Sequence, residues 1–257
     1  SGLSSSYTER TIILNSTVSS DRSESLPYRS GHTGHSLSVP VKTLRVISID
    51  DKHDQLPMEE ISCLLDSSCE LHPIGELNWK NFDYRPEVYF AAARSRNEFL
   101  LKYHVRERWF KAEKTLPNQE VYEDSCVEFF VAPSDDGVYY NFEFNAIGTC
   151  LMGSGTGRHD RKRSDPSIIA GIRYLASAGS FPLPEREGDF EWKLTLAIPF
   201  STLFLHSVDG RKGNVLKANF YKCGDKLSVP HYLSWNPVTT EKPDFHRPEY
   251  FGLLEFA

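Results

Sequence analysis

An aromatic ring and a carboxylate stand close together in the segment YEDSCVEFFV, residues 122–131. The ring, Tyr122, follows Pro117-Asn118-Gln119 in a loop with no evident core neighbour, and the carboxylate, Glu128, alternates with apolar residues on a predicted strand. An aromatic face packs against slightly positive C–H groups, and a carboxylate accepts charge-assisted hydrogen bonds from hydroxyl groups. This pairing indicates a site for a hydroxyl-rich ligand such as a pyranose. The alternatives are rim packing for Tyr122 and a solvated strand face or a salt bridge for Glu128.

A second carboxylate, Glu143, lies on the next predicted strand, YYNFEFN, and we expect it to face the same cleft as Glu128. Two such carboxyl groups resemble the acid and nucleophile of a glycosidase. Pairs of carboxylates on strands also occur by chance in most sandwiches, so we assign both residues to ligand binding. Hydrolysis of glycosidic bonds is kept as the alternative.

A dense positive run, RHDRKR at residues 158–163, follows a glycine-rich segment. Such a run is usually a solvated loop. Arginine side chains also match the oxygens of carboxylates and sulfates, so Arg161 is a candidate contact for a uronic acid or a sulfated sugar. Arg163, two residues further along, is a candidate for the same contact.

Tryptophan offers the largest stacking surface, but three of the four tryptophans belong in the core. Trp192 and Trp235 lie in strand-like segments, and Trp79 follows a helix-to-strand turn. Trp109, in VRERWFKAEK, is the exposed exception. We expect it to extend an aromatic platform for a longer ligand.

Many short strands separated by turn signals must position these side chains. The strand-like segments are VKTLRVISI, EVYFAAARS, EFLLKYHVRE, SCVEFFVAP, VYYNFEFNAIG, TCLMGSG, IIAGIRYLAS, FEWKLTLAIP, LKANFYKCG and GLLEF. Residues 190–198 alternate between apolar and polar with the period of two of a sheet that has one wet face. One short helix is predicted over PMEEISCLLDSS, beginning at Pro57. The pattern predicts an all-β fold, an antiparallel β-sandwich resembling a jelly roll, with one or two short peripheral helices.

Residues 1–40 are dominated by Ser, Thr, Gly, Arg and His. We expect a flexible segment there, because it cannot bury enough apolar surface to offset its ordering entropy. A metal site at His32 and His35 is disfavoured, since no carboxylate or cysteine partner stands nearby. The sandwich domain is predicted over residues 41–257.

Composition excludes several classes of function. The net charge of −6 argues against a nucleic-acid partner, and no apolar run approaches the roughly 20 residues of a membrane span. The five cysteines lack CxxC or Cys/His spacing, so neither a zinc site nor a complete disulfide framework is indicated. With Met58 and Met152 the only methionines, an axial Met–His pair for haem is disfavoured.

Four motifs in a fixed order point to a known family. They are YEDSCVEFFV, the strand YYNFEFNAIG, the strand FEWKLTLAIP, and LSWNP followed by DFHRPEYFG. In that order the chain, from about residue 40 to its end, resembles the carbohydrate-binding modules of family nine. It is most similar to the divergent family-nine-like proteins of gut and marine bacteria that degrade polysaccharides.

The resemblance implies a non-catalytic module that binds an oligosaccharide or polysaccharide. The family's two clamping tryptophans fall on Tyr122 and Phe245, which preserves two aromatic faces, and its V–E acid is matched by Glu128. A family arginine is replaced by Glu143 and a family asparagine by Lys242, so we expect a different ligand preference.

The resemblance also implies a setting. Proteins of this family are extracytoplasmic, periplasmic or secreted, and are attached to or act with glycoside hydrolases. They carry structural calcium but need no other cofactor. Two clusters with few oxygen ligands are candidates for calcium here: Asp135-Asp136-Gly137, and Asp50-Asp51 before His53. The sequence does not assign the ion to either.

Overall fold

The computed structural model describes residues 41–50 and 56–257, and for Asp50 the backbone alone. The predicted flexible segment 1–40, with His32 and His35, lies outside the described residues. The calcium candidate at Asp50-Asp51 and His53 lies outside them as well, apart from the backbone of Asp50.

Thirteen strands and two short helices account for the regular structure of the described residues. The strands are β1 Thr43–Asp50, β2 His72–Pro73, β3 Glu87–Ser95, β4 Glu98–Ala112, β5 Cys126–Ala132, β6 Tyr139–Asn145, β7 Cys150–Gly155, β8 Lys162–Arg163, β9 Arg173–Ala176, β10 Leu183–Pro199, β11 Val215–Cys223, β12 Tyr232–Ser234 and β13 Gly252–Phe256. The helices are α1 Met58–Ser68 and α2 Pro166–Ile169, and 3-10 turns cover Val121–Glu123, Phe200–Thr202 and Pro248–Tyr250. No helix among these described residues is long and apolar enough to cross a membrane.

The strands form two sheets that share β1. The first sheet has the order β8-β7-β6-β5-β11-β13 with β12 on β11, and the second has the order β3-β4-β10-β9 with β2 on β3. Strand β1 pairs parallel to β13 through Thr43–Val46 and parallel to β3 through its second half, and the other pairs are antiparallel. The predicted β-sandwich is confirmed. Its two parallel pairings are an addition that strand alternation does not reveal.

The main core fills the space between the two sheets. Alternate residues of each strand point inward, so Phe129 and Phe220 of the first sheet meet Phe90 and Phe99 of the second. The rings of Phe90 and Phe220 stack with centroids 3.9 Å apart. Trp192 and Trp235 belong to this core, as the sequence predicts. Each fully buried ring of this kind contributes on the order of 1.5–3 kcal/mol.

A second apolar cluster covers the outer face of the first sheet. It contains Trp79, Val121, Cys126, Phe130, Ala132, Tyr139, Leu151, Tyr221, Cys223, Val238, Phe245 and Phe251. Loops bring Trp79 and Phe245 over the strands, so β5 and β6 are buried along their whole length on both faces. The alternative of a solvated strand face at Glu128 is therefore wrong.

The two helices lie on the periphery, as predicted. Ile61 and Leu65 of α1 pack on the outer face of the second sheet, against small residues of β3 and Leu100 of β4. Helix α2 occupies the start of a predicted strand, IIAGIRYLAS. Asp165 accepts a hydrogen bond from the Ser167 amide and Pro166 stands in the first turn, so a helix forms there and β9 begins only at Arg173.

Candidate functional site

A pocket of about 530 Å³ lies on the outer face of the first sheet, and we call it the outer-face pocket. It is lined by Phe82, Tyr122, Glu128, Phe130, Asn141, Glu143, Gly153, Arg158, Arg161, Arg163, Cys223, Asp225, Tyr232, Pro243, Asp244, Phe245 and His246. Five of the seven residues that the sequence assigns to ligand binding are among them: Tyr122, Glu128, Glu143, Arg161 and Phe245. They come from four separate parts of the chain.

Three adjacent strands form the base of the pocket. Strand β5 lies between β6 and β11, so alternate residues of the three strands face the same side. In the pairing register Glu128 stands directly opposite Glu143 on β6, and Cys126 stands directly opposite Cys223 on β11. The expectation that the two carboxylates face one cleft agrees with this register.

The 3-10 turn Val121–Glu123 holds Tyr122 at the rim of the pocket. Its anchor is Asp124, which is fully buried and whose Oδ2 accepts hydrogen bonds at 2.9 Å from the backbone amides of Glu113 and Lys114. The Tyr122 carbonyl also accepts a 2.9 Å hydrogen bond from the Asp225 amide. The ring is half-buried against the second apolar cluster, so part of its surface stays open.

Phe245 lies deeper in the pocket than Tyr122. Its ring stacks on Tyr221 with centroids 4.1 Å apart, and the Tyr221 hydroxyl donates a hydrogen bond to the Phe245 carbonyl. Only 8% of Phe245 is exposed, so little of this ring is left for a ligand. Two further rings, Phe82 and Tyr232, pack edge to face with centroids 4.8 Å apart and line the pocket beside it.

The two carboxyls at the base of the pocket are buried, and no lysine or arginine of the described residues forms a hydrogen bond with them. Glu128 is 3% and Glu143 4% exposed. Burial, and next the charge of Glu143, raise the pKa of Glu128 well above its usual range. Burial raises the pKa of Glu143 to about 7, although the hydrogen bond from Asn141 and the nearby charges of Arg163 and Arg161 act in the opposite direction. The coupled pair therefore retains a proton to a higher pH than a free glutamate does.

Each of the two carboxyls at the base of the pocket has one close polar partner, which contacts its Oε1 atom. The thiol of Cys223 lies 3.1 Å from Glu128 Oε1, and Asn141 Nδ2 donates to Glu143 Oε1 at 2.8 Å. The second oxygen of Glu143 is buried and has no hydrogen-bond partner among the described residues. A ligand hydroxyl or a cation would satisfy it.

Arginines form the basic side of the pocket. Arg161 donates to Asn141 Oδ1 at 2.8 Å and to the Gly153 carbonyl at 3.0 Å, and its guanidinium lies 4.2 Å from the centroid of the Tyr139 ring. Arg158 forms an ion pair with Asp244. Arg163 also lines the pocket, and its side chain is exposed.

In two further titratable groups of the pocket the pKa is also shifted in favour of the neutral form, downward for His246 and upward for Asp225. Burial, followed by the charges of Arg161 and Arg158, lowers the pKa of His246 to about 3, so its ring is neutral and shares a 3.0 Å hydrogen bond with the Tyr139 hydroxyl. Burial raises the pKa of Asp225 to about 6. Near neutral pH the pocket therefore carries its arginine charges against a partly neutralised set of carboxyls.

Trp109 and Lys242 do not line the outer-face pocket. Trp109 belongs to β4 of the second sheet, where its ring packs edge to face on Tyr84 at 4.9 Å and the guanidinium of Arg108 lies over it. Lys242 is exposed, and its backbone carbonyl accepts a hydrogen bond from Thr240. The structure does not join either residue to the other five.

Asp135 and Asp136, a candidate calcium cluster in the sequence, contact other protein groups. Asp135 forms a 2.6 Å ion pair with Lys217, and Asp136 lies 3.0 Å from His206 Nε2 and accepts a hydrogen bond from the Val138 amide. A calcium ion needs six to eight oxygen ligands. These two carboxylates, held by cationic or hydrogen-bonding partners, do not fit such a cage.

Sequence reasoning missed the rings Phe82 and Tyr232 and the cysteine Cys223. Tyr232 precedes the LSWNP motif directly, so its position beside a family motif was an available signal. For Phe82 and Cys223 the sequence carries no such signal, because loop packing and strand register bring them to the pocket.

Comparison with known proteins agrees with this architecture. A candidate carbohydrate-binding protein from Bacteroides uniformis ATCC 8492 is 39% identical and superposes with a TM-score of 0.80, over 84% of this chain and all of its own. A family 9 carbohydrate-binding module from Caldicellulosiruptor kristjanssonii, solved with glucose, is 11% identical with a TM-score of 0.50, over 84% of this chain and 96% of its own. At that identity it shows the shared fold alone. A search of curated proteins returned no match. The sequence profile of carbohydrate-binding family 9 matches residues 59–256, and the chain therefore belongs to carbohydrate-binding family 9.

Proposed function

We propose that this chain binds a carbohydrate in the outer-face pocket and does not cleave it. The observation that carries the proposal is the meeting of aromatic rings, carboxyls and guanidinium groups in one open cavity of about 530 Å³. Small-ligand pockets typically measure about 300–1,000 Å³ and combine apolar surface with a few oriented polar groups. Membership of a carbohydrate-binding family supports the same function.

The chemistry of the pocket suits sugar hydroxyls on one side and sugar C–H groups on the other. The open part of the Tyr122 ring at the rim offers an apolar face, and Tyr232 and Phe245 extend it inward. At the base, a protonated carboxyl can donate as well as accept, and a carboxylate only accepts. The pair Glu128 and Glu143 therefore provides both kinds of contact for hydroxyl groups.

The placement of the two carboxyls favours binding over hydrolysis. Glycosidases hold their two carboxyl groups on either side of the scissile bond. Glu128 and Glu143 instead stand side by side on one face of one sheet, in a directly opposed pair. Roles in polysaccharide breakdown beside a glycoside hydrolase, and an extracytoplasmic location, are further parts of this proposal and rest on the family resemblance.

A glycan array followed by calorimetry on the best ligand tests the proposal. Tyr122→Ala should weaken binding by about 1 kcal/mol or more, because a stacking face is lost. Trp109→Ala is the matched control, since this aromatic residue lies on the other sheet and should leave the affinity unchanged.

Two outcomes would argue against the proposal. Unchanged affinity in Tyr122→Ala would remove the pocket assignment. Release of reducing ends from the bound glycan, abolished by Glu128→Gln or Glu143→Gln, would replace the binding module with a hydrolase. Phe245→Ala is a weaker test, because it also removes the ring that stacks on Tyr221.

A further inference from the structure

Two cysteines and a glutamate converge at the base of the outer-face pocket. Cys126 on β5 stands directly opposite Cys223 on β11, and Glu128 is two residues along β5 on the same face. The two sulfur atoms and a carboxylate oxygen all lie within 4.8 Å of one another. The two cysteines are far apart in the chain, so a search for short-spacing cysteine motifs does not find this cluster.

The separations suit a tetrahedral metal ion. With metal–sulfur and metal–oxygen bonds of about 2.3 and about 2.0 Å, ligand atoms in a tetrahedral site stand roughly 3.3–3.8 Å apart. The distance from Glu128 Oε1 to the sulfur is 3.1 Å for Cys223 and 4.0 Å for Cys126. Changes of about 0.5 Å would bring both sulfur–oxygen separations into that range, and the two sulfur atoms lie within 4.8 Å of each other.

An independent observation is an unpartnered carboxyl oxygen beside this cluster. Glu143, directly opposite Glu128, has a buried carboxylate oxygen with no hydrogen-bond partner among the described residues. No lysine or arginine in that part of the chain forms an ion pair with either glutamate. Cys223, Glu128 and Glu143 all line the open pocket, which gives an ion a path from solvent.

We propose that Cys126, Cys223 and Glu128 bind a thiophilic divalent cation of the zinc class, with its fourth coordination position facing the outer-face pocket. Two thiolates with one carboxylate favour zinc over calcium or magnesium, which prefer oxygen ligands. On binding, the two thiols, and the Glu128 carboxyl where it is protonated, release their protons to solvent; the ion loses bound water as two sulfur–metal bonds and one oxygen–metal bond form. Three protein ligands with one open position is the arrangement of zinc sites that accept a further ligand.

Cobalt(II) serves as the spectroscopic probe and zinc as the competing ion. The full chain is reduced, stripped with a chelator, freed of both reagents and titrated with cobalt(II) in the absence of sugar. We expect one cobalt ion per chain, a thiolate-to-cobalt charge-transfer band and the intense d–d bands of a tetrahedral site. Zinc should abolish these bands, and a chromophoric chelator then gives the zinc affinity.

Variants distinguish metal binding at the base of the pocket from metal binding by surface thiols. Cys126→Ser, Cys223→Ser and Glu128→Gln should each weaken zinc binding by about tenfold or more. Cys63→Ser is the matched control, since this thiol is exposed on α1. Glu128→Gln conserves the side-chain volume and keeps the test decisive if a cysteine variant fails to fold.

The proposal is overturned if the reduced chain gives no thiolate-to-cobalt band, or if Cys63→Ser alone removes it. Equal zinc affinity in the parent and in Glu128→Gln would also overturn it. The same holds for a Cys126–Cys223 disulfide that forms in the isolated protein and survives mild reduction. None of these outcomes depends on whether the pocket binds sugar.

Discussion

Glu143 illustrates how a single buried residue couples the pocket to pH. Its carboxyl keeps a proton up to about pH 7 in the folded protein, whereas the unfolded chain releases it near 4.5. Between these values the folded state binds more protons than the unfolded state. The free energy of unfolding should therefore fall as the pH rises through this range, by on the order of 1–3 kcal/mol.

This dependence is measured by urea denaturation at about pH 5 and about pH 8, for the parent and for Glu143→Gln. The glutamine cannot titrate, so its variant should lose less stability between the two values. Identical pH profiles would mean that Glu143 has a similar pKa in both states. Comparing the two profiles cancels the contributions of titrating groups that do not interact with Glu143, whereas the titration of Glu128 changes with it.

Arg163 allows a separate test of ligand charge. Arg161 is held by Asn141 and Gly153, so its replacement would also disturb the pocket, whereas Arg163 is exposed at the rim. Arg163→Ala should weaken binding of uronic or sulfated glycans by about tenfold and leave neutral glycans unchanged. Arg186→Ala, a charge removed from β10 of the other sheet, is the control. Equal losses for acidic and neutral glycans would exclude a charge contact.

At the residue scale, five of the seven residues that the sequence assigned to ligand binding line the pocket, and other lining residues were missed for a physical reason. Tyr122, Glu128 and Glu143 stand out because loop position and alternation mark them. Cys126 and Cys223 are neighbours only through the register between β5 and β11, which depends on contacts far apart in the chain. The sequence predicted that Trp109 is exposed beside the ligand, but its strand β4 belongs to the second sheet and Trp109 does not line the pocket.

A buried ion pair joins one strand of each sheet. Lys222 Nζ of β11 lies 2.9 Å from Glu107 Oε2 of β4, and both side chains are fully buried. Trp192 donates its indole N–H to the other oxygen of Glu107 at 2.7 Å, and His231 accepts from Lys222 at 2.8 Å. Burial lowers the pKa of His231 well below its usual range, so its ring is neutral and can accept this bond.

Breaking this pair should destabilise the sandwich. Lys222→Met leaves Glu107 charged in the interior, and we expect the free energy of unfolding to fall by about 3–5 kcal/mol. The double variant Lys222→Met with Glu107→Gln removes both charges and should recover part of the loss. Urea denaturation of the parent, single and double variants measures both effects. A double variant less stable than Lys222→Met would contradict this account.

At the element scale most strands were predictable and their partners were not. The segment EVYFAAARS is β3 to the residue, and GLLEF is β13. Alternation locates a strand but does not state its neighbours, so the parallel pairings of β1 were not foreseen. The helix α2 was missed because Asp165 and Pro166 begin a helix within an apolar run too short to show a helical period.

The whole molecule is tied together by β1, which pairs with both sheets, and by a core that fills the space between them. We therefore expect residues 42–257 to unfold as one cooperative unit. Tryptophan fluorescence reports all four tryptophans, among them Trp192 in β10 of the second sheet and Trp235 directly after β12 of the first. It should give the same urea midpoint as far-ultraviolet circular dichroism. Two separate transitions would show that the sheets unfold independently.

The variant Leu44→Ala tests whether the two sheets unfold together. Leu44 is 1% exposed in the half of β1 that pairs with β13, and its truncation should cost about 2–5 kcal/mol. If the two sheets are coupled, both probes should shift to the same lower midpoint. Leu71→Ala is the control, because that side chain is exposed and its loss should change stability little.

The burial of β5 on both faces has a consequence for how ligand preference can be altered. Successive residues of this strand face opposite sides: Val127 and Phe129 lie in the main core, whereas Cys126 and Glu128 face the outer side, where Glu128 lines the pocket. Pocket-lining positions such as Glu128 and Glu143 can therefore be exchanged while the inward-facing positions keep the two sheets packed. A library restricted to the pocket-facing positions of β5, β6 and β11 would sample new binding chemistries on an unchanged scaffold.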